Sequence, residues 1–449
     1  MTGNDEVRDA FIQAACVPLD AGHASGTLDQ AEAILATHPD LAGSDIHVAA
    51  ILGDDAGVHR LLGFAPASAT VKGGPRGWDP LTHLCFSRYL RLDRNRSEGF
   101  VRAATALLDA GASADTGWWE EHHQPRPEWE SALYGAAGVA HHADLTRLLL
   151  ERGADPNDEE VPYHAPEGWD NSVMEVLVES GKLTPDSLAT MLLRKADWHD
   201  LVGVQLLLEH GAEPNRMTRW GRTALHQAIL RDNDLSIITT LLDHGAEPTA
   251  PMDSRSVGVM AARRGRGDVL TLIERRGMPL GLDGVDRLVA ACAMANEAGV
   301  GEIVAGEPDL VRQIGAGGGQ ILAEFAGNGN TEGVRLLLDL GVDVAARFAA
   351  GDGYWDVAPY STALHVAAWR ARHETVRLLL ARGAAVDAKD GRGRTPLALA
   401  VRACVDSYWR DRRSPESVRA LLEAGASVAG VPFPSGYPEV DRLLHEHLA

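Results

Sequence analysis

Residues 220–249 read WGRTALHQAILRDNDLSIITTLLDHGAEPT, and much of the chain reads as this stretch repeated with loss and decoration. Gly221 and Arg222 make a tip, Thr223, Ala224, Leu225 and His226 open a short first helix, and Leu235 to Leu242 form a second that stops at Gly245. A left-handed residue is needed where that second helix ends, and glycine takes the conformation without a Cβ penalty. The glycines that serve there count the units. They are Gly111, Gly153, Gly211, Gly245, Gly277, Gly341, Gly383 and Gly425, at spacings of 42, 58, 34, 32, 64, 42 and 42 residues. The 64 is two units of 32, and each 42 is one unit enlarged by an insertion.

This pattern resembles the ankyrin repeat, whose period is about 33 residues and whose first helix opens T-P-L-H-x-A. The resemblance implies an all-α solenoid of stacked helix-turn-helix repeats with short β-hairpin fingers; it names an architecture and no reaction. The expected organisation is a single solenoid over residues 1–449 of about eleven or twelve units. Degenerate N-terminal cap units fall at 1–63, an irregular three-helix segment at 171–210, degenerate units at 255–316 and a C-terminal capping helix at 437–449. The GAGGG run at 315–319 reads as a loop entering a helix from Gln320 and is the best candidate for a hinge. His226 and His365 stand fourth in T-A-L-H, where the resemblance implies a structural histidine bonding neighbouring backbone.

The chain has 449 residues and an apolar content of 45%, which excludes intrinsic disorder, and it has no apolar run of the ~20 residues needed to span a bilayer. The opening MTGNDEVRDAF lacks a basic region and an apolar run, so a cytoplasmic location is expected. Cys16, Cys85, Cys292 and Cys404 lie far apart after apolar residues and read as buried small hydrophobes. Arginine excess over only four lysines, with abundant Ala and Gly, suggests a GC-rich bacterial gene. The formal charge of −21 argues against a nucleic acid or an anionic membrane as principal partner.

No phosphate loop, nucleophile elbow or metal-binding histidine pair is found. GAGGGQ has Gln320 where a dinucleotide-binding loop needs glycine, and none of the histidines are three or four apart on a helix that would bind a metal. No cofactor is expected. What the repeat leaves unexplained is tryptophan, since seven of ten (Trp78, Trp118, Trp119, Trp129, Trp169, Trp220 and Trp355) fall in the segments that precede first helices. Stacking is expected to line up Trp78, Trp129, Trp169 and Trp220 as a row, and aromatics of this kind are enriched at binding hot spots.

Three of these segments are longer than a tight hairpin requires: WWEEHHQPRPEW (118–129), DEEVPYHAPEGW (158–169) and FAAGDGYWDVAPY (348–360). The first two are expected to be neighbours, bringing Glu120, Glu121, His122 and His123 near Asp158, Glu159, Glu160, Tyr163 and His164. Tyr354 and Trp355 belong to the third. Such a surface suits a basic protein or peptide partner, through cation–π contacts and charge-assisted hydrogen bonds. The expected function is therefore a non-enzymatic intracellular binding scaffold. The alternative is a small-molecule or catalytic site in a pocket under fingers 118–129 and 158–169, with Glu121, His123 or His164 as acid, base or metal ligand. Two arginine-rich insertions, SRYLRLDRNRS at 87–97 and SYWRDRRS at 407–414, read as solvated loops whose arginines satisfy nearby acids, the alternative being a surface for an acidic partner.

Overall fold

The computed structural model describes residues 3–19, 22–249, 251–252 and 255–448. They form two compact units, Met1–Arg231 with Thr240–Gly245, and Asp232–Thr239 with Ala246–Ala449. Helices dominate both, and the strands are short hairpin pairs. In the second unit the helices pair as Val257–Arg263 with Gly267–Arg275, Gly284–Ala293 with Glu297–Gly306, Asp309–Asn328 with Thr331–Asp339, Ala363–Trp369 with His373–Ala381, and Pro396–Val405 with Glu416–Glu423. The helix Pro438–Leu448 follows, burying Val440, Leu443 and Leu444.

Local chemistry explains many of the boundaries. Four first helices begin at a side-chain cap: Asp79, Thr223, Ser256 and Thr395 each accept a backbone N–H from the first turn. Second helices carry a narrow apolar stripe, as in Glu416–Glu423, where Ser417, Val418, Leu421 and Leu422 are buried at i, i+1, i+4 and i+5. They close at the counted glycines, all eight of which have φ between +68° and +103°.

The T-A-L-H histidines are scaffold. The Thr362 N–H donates to His365 Nδ1 at 3.2 Å, so the ring proton resides on Nε2, which donates to the Arg394 carbonyl at 3.1 Å. That bond ties one unit's first helix to the tip of the next. Thr223 and His226 repeat the arrangement, with Oγ1 and Nδ1 2.7 Å apart. The four cysteines are free and buried.

Asp232 ties several units together. Its carboxylate meets Arg264 at 3.2 Å and Arg370 at 2.8 Å, and Arg264 also reaches Glu324 at 3.2 Å. Burial pushes the Asp232 carboxyl up, but the two guanidinium charges outweigh it and hold the group below the usual carboxylate range.

Three expectations need correction. The GAGGG run lies inside the helix Asp309–Asn328, and a Cβ on Gly319 would stand 2.3 Å from the Arg347 carbonyl oxygen. The glycine lets the Arg347–Phe348 strand lie directly on the helix, so the run serves close packing and no loop. Segment 158–169 forms no hairpin finger, because Glu160–His164 is a short helix. The arginines of 87–97 bond chiefly backbone carbonyls rather than acids: Arg88 reaches Ala14, Arg91 reaches Gly26, Arg94 reaches Ala140 and Arg96 reaches Leu52. Residues 171–210 contain the helices Ser172–Glu179, Pro185–Asp197 and Leu201–Glu209.

The turn between paired helices also needs a left-handed residue. Gly53, Gly265 and Gly329 supply it in three units, whereas His141, His199, Asp232, Ala295 and Ala371 adopt it with φ of 48–54°. For a residue with a Cβ this costs about 1 kcal/mol. Ala295→Gly is therefore expected to stabilise the second unit by about 1 kcal/mol, read as a higher urea midpoint. Asp232→Ala leaves buried Arg370 without its carboxylate and Arg264 with Glu324 alone, and is expected to cost about 3–5 kcal/mol in the same measurement.

Candidate functional site

The hairpin formed by Gly117–Glu120 and Glu128–Ser131 organises the candidate site. Its register pairs Trp118 with Glu130, Trp119 with Trp129 and Glu120 with Glu128. Because strand side chains alternate between faces, Trp118, Glu120, Glu128 and Glu130 share one face, and Trp119 and Trp129 share the other. The adjacent tryptophans are thus separated: Trp118 is 9% exposed and Trp119 is 56% exposed.

The inner face builds an aromatic cluster. Trp118 lies 5.0 Å from Trp78, 5.9 Å from Phe86 and 5.8 Å from His23, measured between ring centroids. Glu130, only 1% exposed, sits 3.8 Å from His23 Nδ1, and Glu120 is 3.9 Å from Nε2. The same Nδ1 meets the Tyr134 hydroxyl at 3.0 Å.

Burial decides the charge states in this cluster. It pushes Glu130 up to about 9, with Glu160 and Glu120 adding repulsion, so Glu130 keeps its proton at neutral pH. Burial also lifts Asp158 to about 7, although the Ser131 hydroxyl and the Val161 N–H donate to it. His23 is lowered by burial and is neutral.

His164 has the opposite fate. Burial lowers it, but Glu160 and Glu167, each 3.1 Å away, outweigh that and raise it to about 9. Glu167 also accepts from Arg194 at 2.8 Å, and Arg194 stacks 4.0 Å above the Tyr163 ring. Tyr163 in turn meets Trp220 at 5.4 Å. Glu159 pairs with Arg126 at 2.5 Å and with Arg219.

The two long segments are therefore neighbours, as Glu159 on Arg126 and Asp158 on Ser131 demonstrate. The tryptophans form no row. Trp78 and Trp118 are buried together, Trp119 meets Trp129 at 5.3 Å, and Trp169 meets Trp198 at 5.4 Å while its Nε1–H donates to the Trp198 carbonyl. Among the described residues Trp78, Trp129, Trp169 and Trp220 contact Trp118, Trp119, Trp198 and Tyr163 and not one another. Trp355, in the second unit, is buried 5.3 Å from Trp409 beneath Arg370, while Tyr354 beside it is 41% exposed. Glu121 and His122 are exposed at the hairpin tip, and His123 Nδ1 lies 3.8 Å from Glu128.

Sequence reading missed His23, Glu128, Glu130, Tyr134, Glu167 and Arg194. The parity of 118, 120, 128 and 130 within a hairpin was the available signal for Glu128 and Glu130. No sequence signal links His23 to residues about a hundred positions away. Among the described residues, no group of three or more His, Cys, Asp or Glu side chains is arranged to hold a metal ion, and no helix is long and apolar enough to cross a membrane.

Family models of ankyrin repeats match residues 261–390 and 322–429 in a three-copy form and 192–242 in a many-copy form. The chain is 42% identical over 84 residues to Serine/threonine-protein kinase 12 of Arabidopsis thaliana, covering 19% of this chain and 16% of that protein. It is 32% identical over 94 residues to Transient receptor potential cation channel subfamily A member 1 of Homo sapiens, covering 19% of this chain and 8% of that one. The chain thus spans less than a fifth of either relative. Among solved structures, the human ASB11 ankyrin repeat domain matches at 19% identity over 57% of this chain and 96% of that one, with a TM-score of 0.26. The ankyrin repeat domain of Bcl-3 matches at 23% identity over 51% of this chain and 97% of that one, with a TM-score of 0.24. The hairpin site lies outside the family-model matches.

A raised carboxyl binds more protons in the folded state than in the unfolded one between its two pKa values. Its stabilising effect is present below the unfolded value and is lost as pH rises toward about 9. Glu130→Gln, which is neutral at every pH, is therefore expected to raise the urea midpoint relative to the parent chain by an amount that grows from pH 5 to pH 9. A difference that is flat with pH would show Glu130 to be ionised throughout.

Proposed function

Since the chain is an ankyrin repeat protein, we propose that it is a non-enzymatic scaffold that holds a basic protein or peptide segment on the outer face of the 117–131 hairpin and the neighbouring loop at 169. Ankyrin repeats are generally scaffolds for protein–protein interaction. The observation that carries the location is exposure: Trp119 and Trp169 are 56% and 70% exposed. Large aromatic faces left wet on loops are enriched at binding hot spots. Glu121 and Asp170 are exposed beside them, and the chain carries a net charge of −21, which favours arginine or lysine side chains over the indole faces.

The charge states support binding over catalysis. His164 is a cation held between two carboxylates and has no free lone pair to accept a proton. Glu130 is protonated and 1% exposed. Neither group is poised as a base toward a ligand on the outer face.

The buried and exposed tryptophans separate folding from binding. Trp119→Ala with Trp169→Ala is expected to keep the helical circular dichroism and to shift the urea midpoint little, as exposed substitutions do. Trp78→Ala is expected to cost about 3–5 kcal/mol. Capture from native lysate followed by mass spectrometry should retain proteins through basic segments on the parent chain and lose them with the double variant. Retention of the same proteins by that variant sinks the proposal.

A further inference from the structure

A cleft of about 710 Å³ opens in the second unit where the turns between paired helices converge. It lies within the range of small-molecule sites, about 300–1,000 Å³. Four arginines line it, Arg266, Arg275, Arg372 and Arg412, and three of them, Arg266, Arg372 and Arg412, lie at or beside the turns.

Two of these stand where other units place a helix cap. Asp54, His142, Asp200, Asn296 and Asn330 each precede a second helix and accept one of its backbone N–H groups. Arg266 precedes Gly267–Arg275 and Arg372 precedes His373–Ala381, and neither gives its helix a side-chain cap. Guanidinium groups have no acceptor, so these helix N-termini present positive dipole ends with added positive charge.

The arginines are also incompletely used. Arg266 is 7% exposed; its Nε and Nη2 donate to Asp268 at 2.9 Å and Nη2 to the Asn233 carbonyl at 2.8 Å, while buried Nη1 has no hydrogen-bond partner. Arg412 Nη1 is likewise buried without one. Arg372 donates Nε to the Gly327 carbonyl at 2.9 Å, and among the described residues no carboxylate lies within ion-pair distance of it. Burial lowers Arg372 to about 9, and the charges of Arg412 and Arg370 push the same way. Three acids also line the cleft: Asp232 is committed to Arg264 and Arg370, Asp268 to Arg266, and Asp234 is the third.

Buried donors without acceptors are costly, and gathered guanidinium charge favours an anion. A single carboxylate offers two oxygens, fewer than three guanidiniums and two helix ends can engage. A phosphate monoester offers three oxygens and close to two negative charges. We propose that this cleft binds a small phosphorylated metabolite, whose phosphate lies among the Arg266, Arg372 and Arg412 side chains at the two uncapped helix ends.

Calorimetry of the full chain with inorganic phosphate and with glucose 6-phosphate is expected to give binding to both, with glucose giving none. Arg372→Asn, which restores a capping residue, and Arg412→Gln, which lies in a turn, should each weaken inorganic phosphate at least tenfold while circular dichroism stays unchanged. Should Arg372→Asn unfold, Arg412→Gln alone carries the comparison. No binding of either phosphate, or unchanged affinity in the folded variants, overturns the proposal. Tighter binding of a serine-phosphorylated peptide than of glucose 6-phosphate overturns the metabolite assignment.

Discussion

A helix pair of about 33 residues cannot bury its own apolar stripe, so every unit depends on its neighbour for a core. Stacking is the constraint from which the remaining features follow. It requires first helices narrow enough to pack closely, which explains the alanines and caps at their starts. It also requires two left-handed turns per unit, one between the helices and one after them. The His365 ring shows how neighbours are joined without a long contact: its Nδ1 accepts from its own cap and its Nε2 reaches the carbonyl of Arg394 in the next tip.

Stacking also creates buried places for charge, and the units resolve them differently. Around Asp232, two guanidiniums outweigh burial and keep the one carboxylate ionised. Around His23, several carboxyl groups meet too few cations, and Glu130 stays protonated instead. In the cleft near Arg372, the imbalance runs toward arginine. Carboxylates that lack cations can neutralise themselves by taking a proton near neutral pH. Guanidiniums cannot do so by losing one, and their remedy is an external anion.

The tryptophans divide by the same logic of burial. Period-two alternation sends Trp118 inward and Trp119 outward although they are adjacent in sequence. Trp355, Trp369 and Trp409 form an inner cluster under Arg370 and Arg402, which draws Trp409 of the 407–414 insertion inward. Exposure, and not residue type, distinguishes the tryptophans available to a partner.

The amino-acid sequence determined the repeat, its helix pairs and its turn glycines, because these depend on contacts within a few residues and on a period that survives substitution. It also determined that His226 and His365 are scaffold. Only the tertiary structure decided that the GAGGG run belongs in a helix, that segment 158–169 coils into Glu160–His164, and that His23 meets Glu130. Each of these rests on neighbours far away in the chain: Arg347 lying on Gly319, Ser131 holding Asp158, and an inner hairpin face packed on residues from the first helices. Burial and pairing set the charge of Glu130 and His164, and these are properties of the surroundings that no residue carries in its own identity.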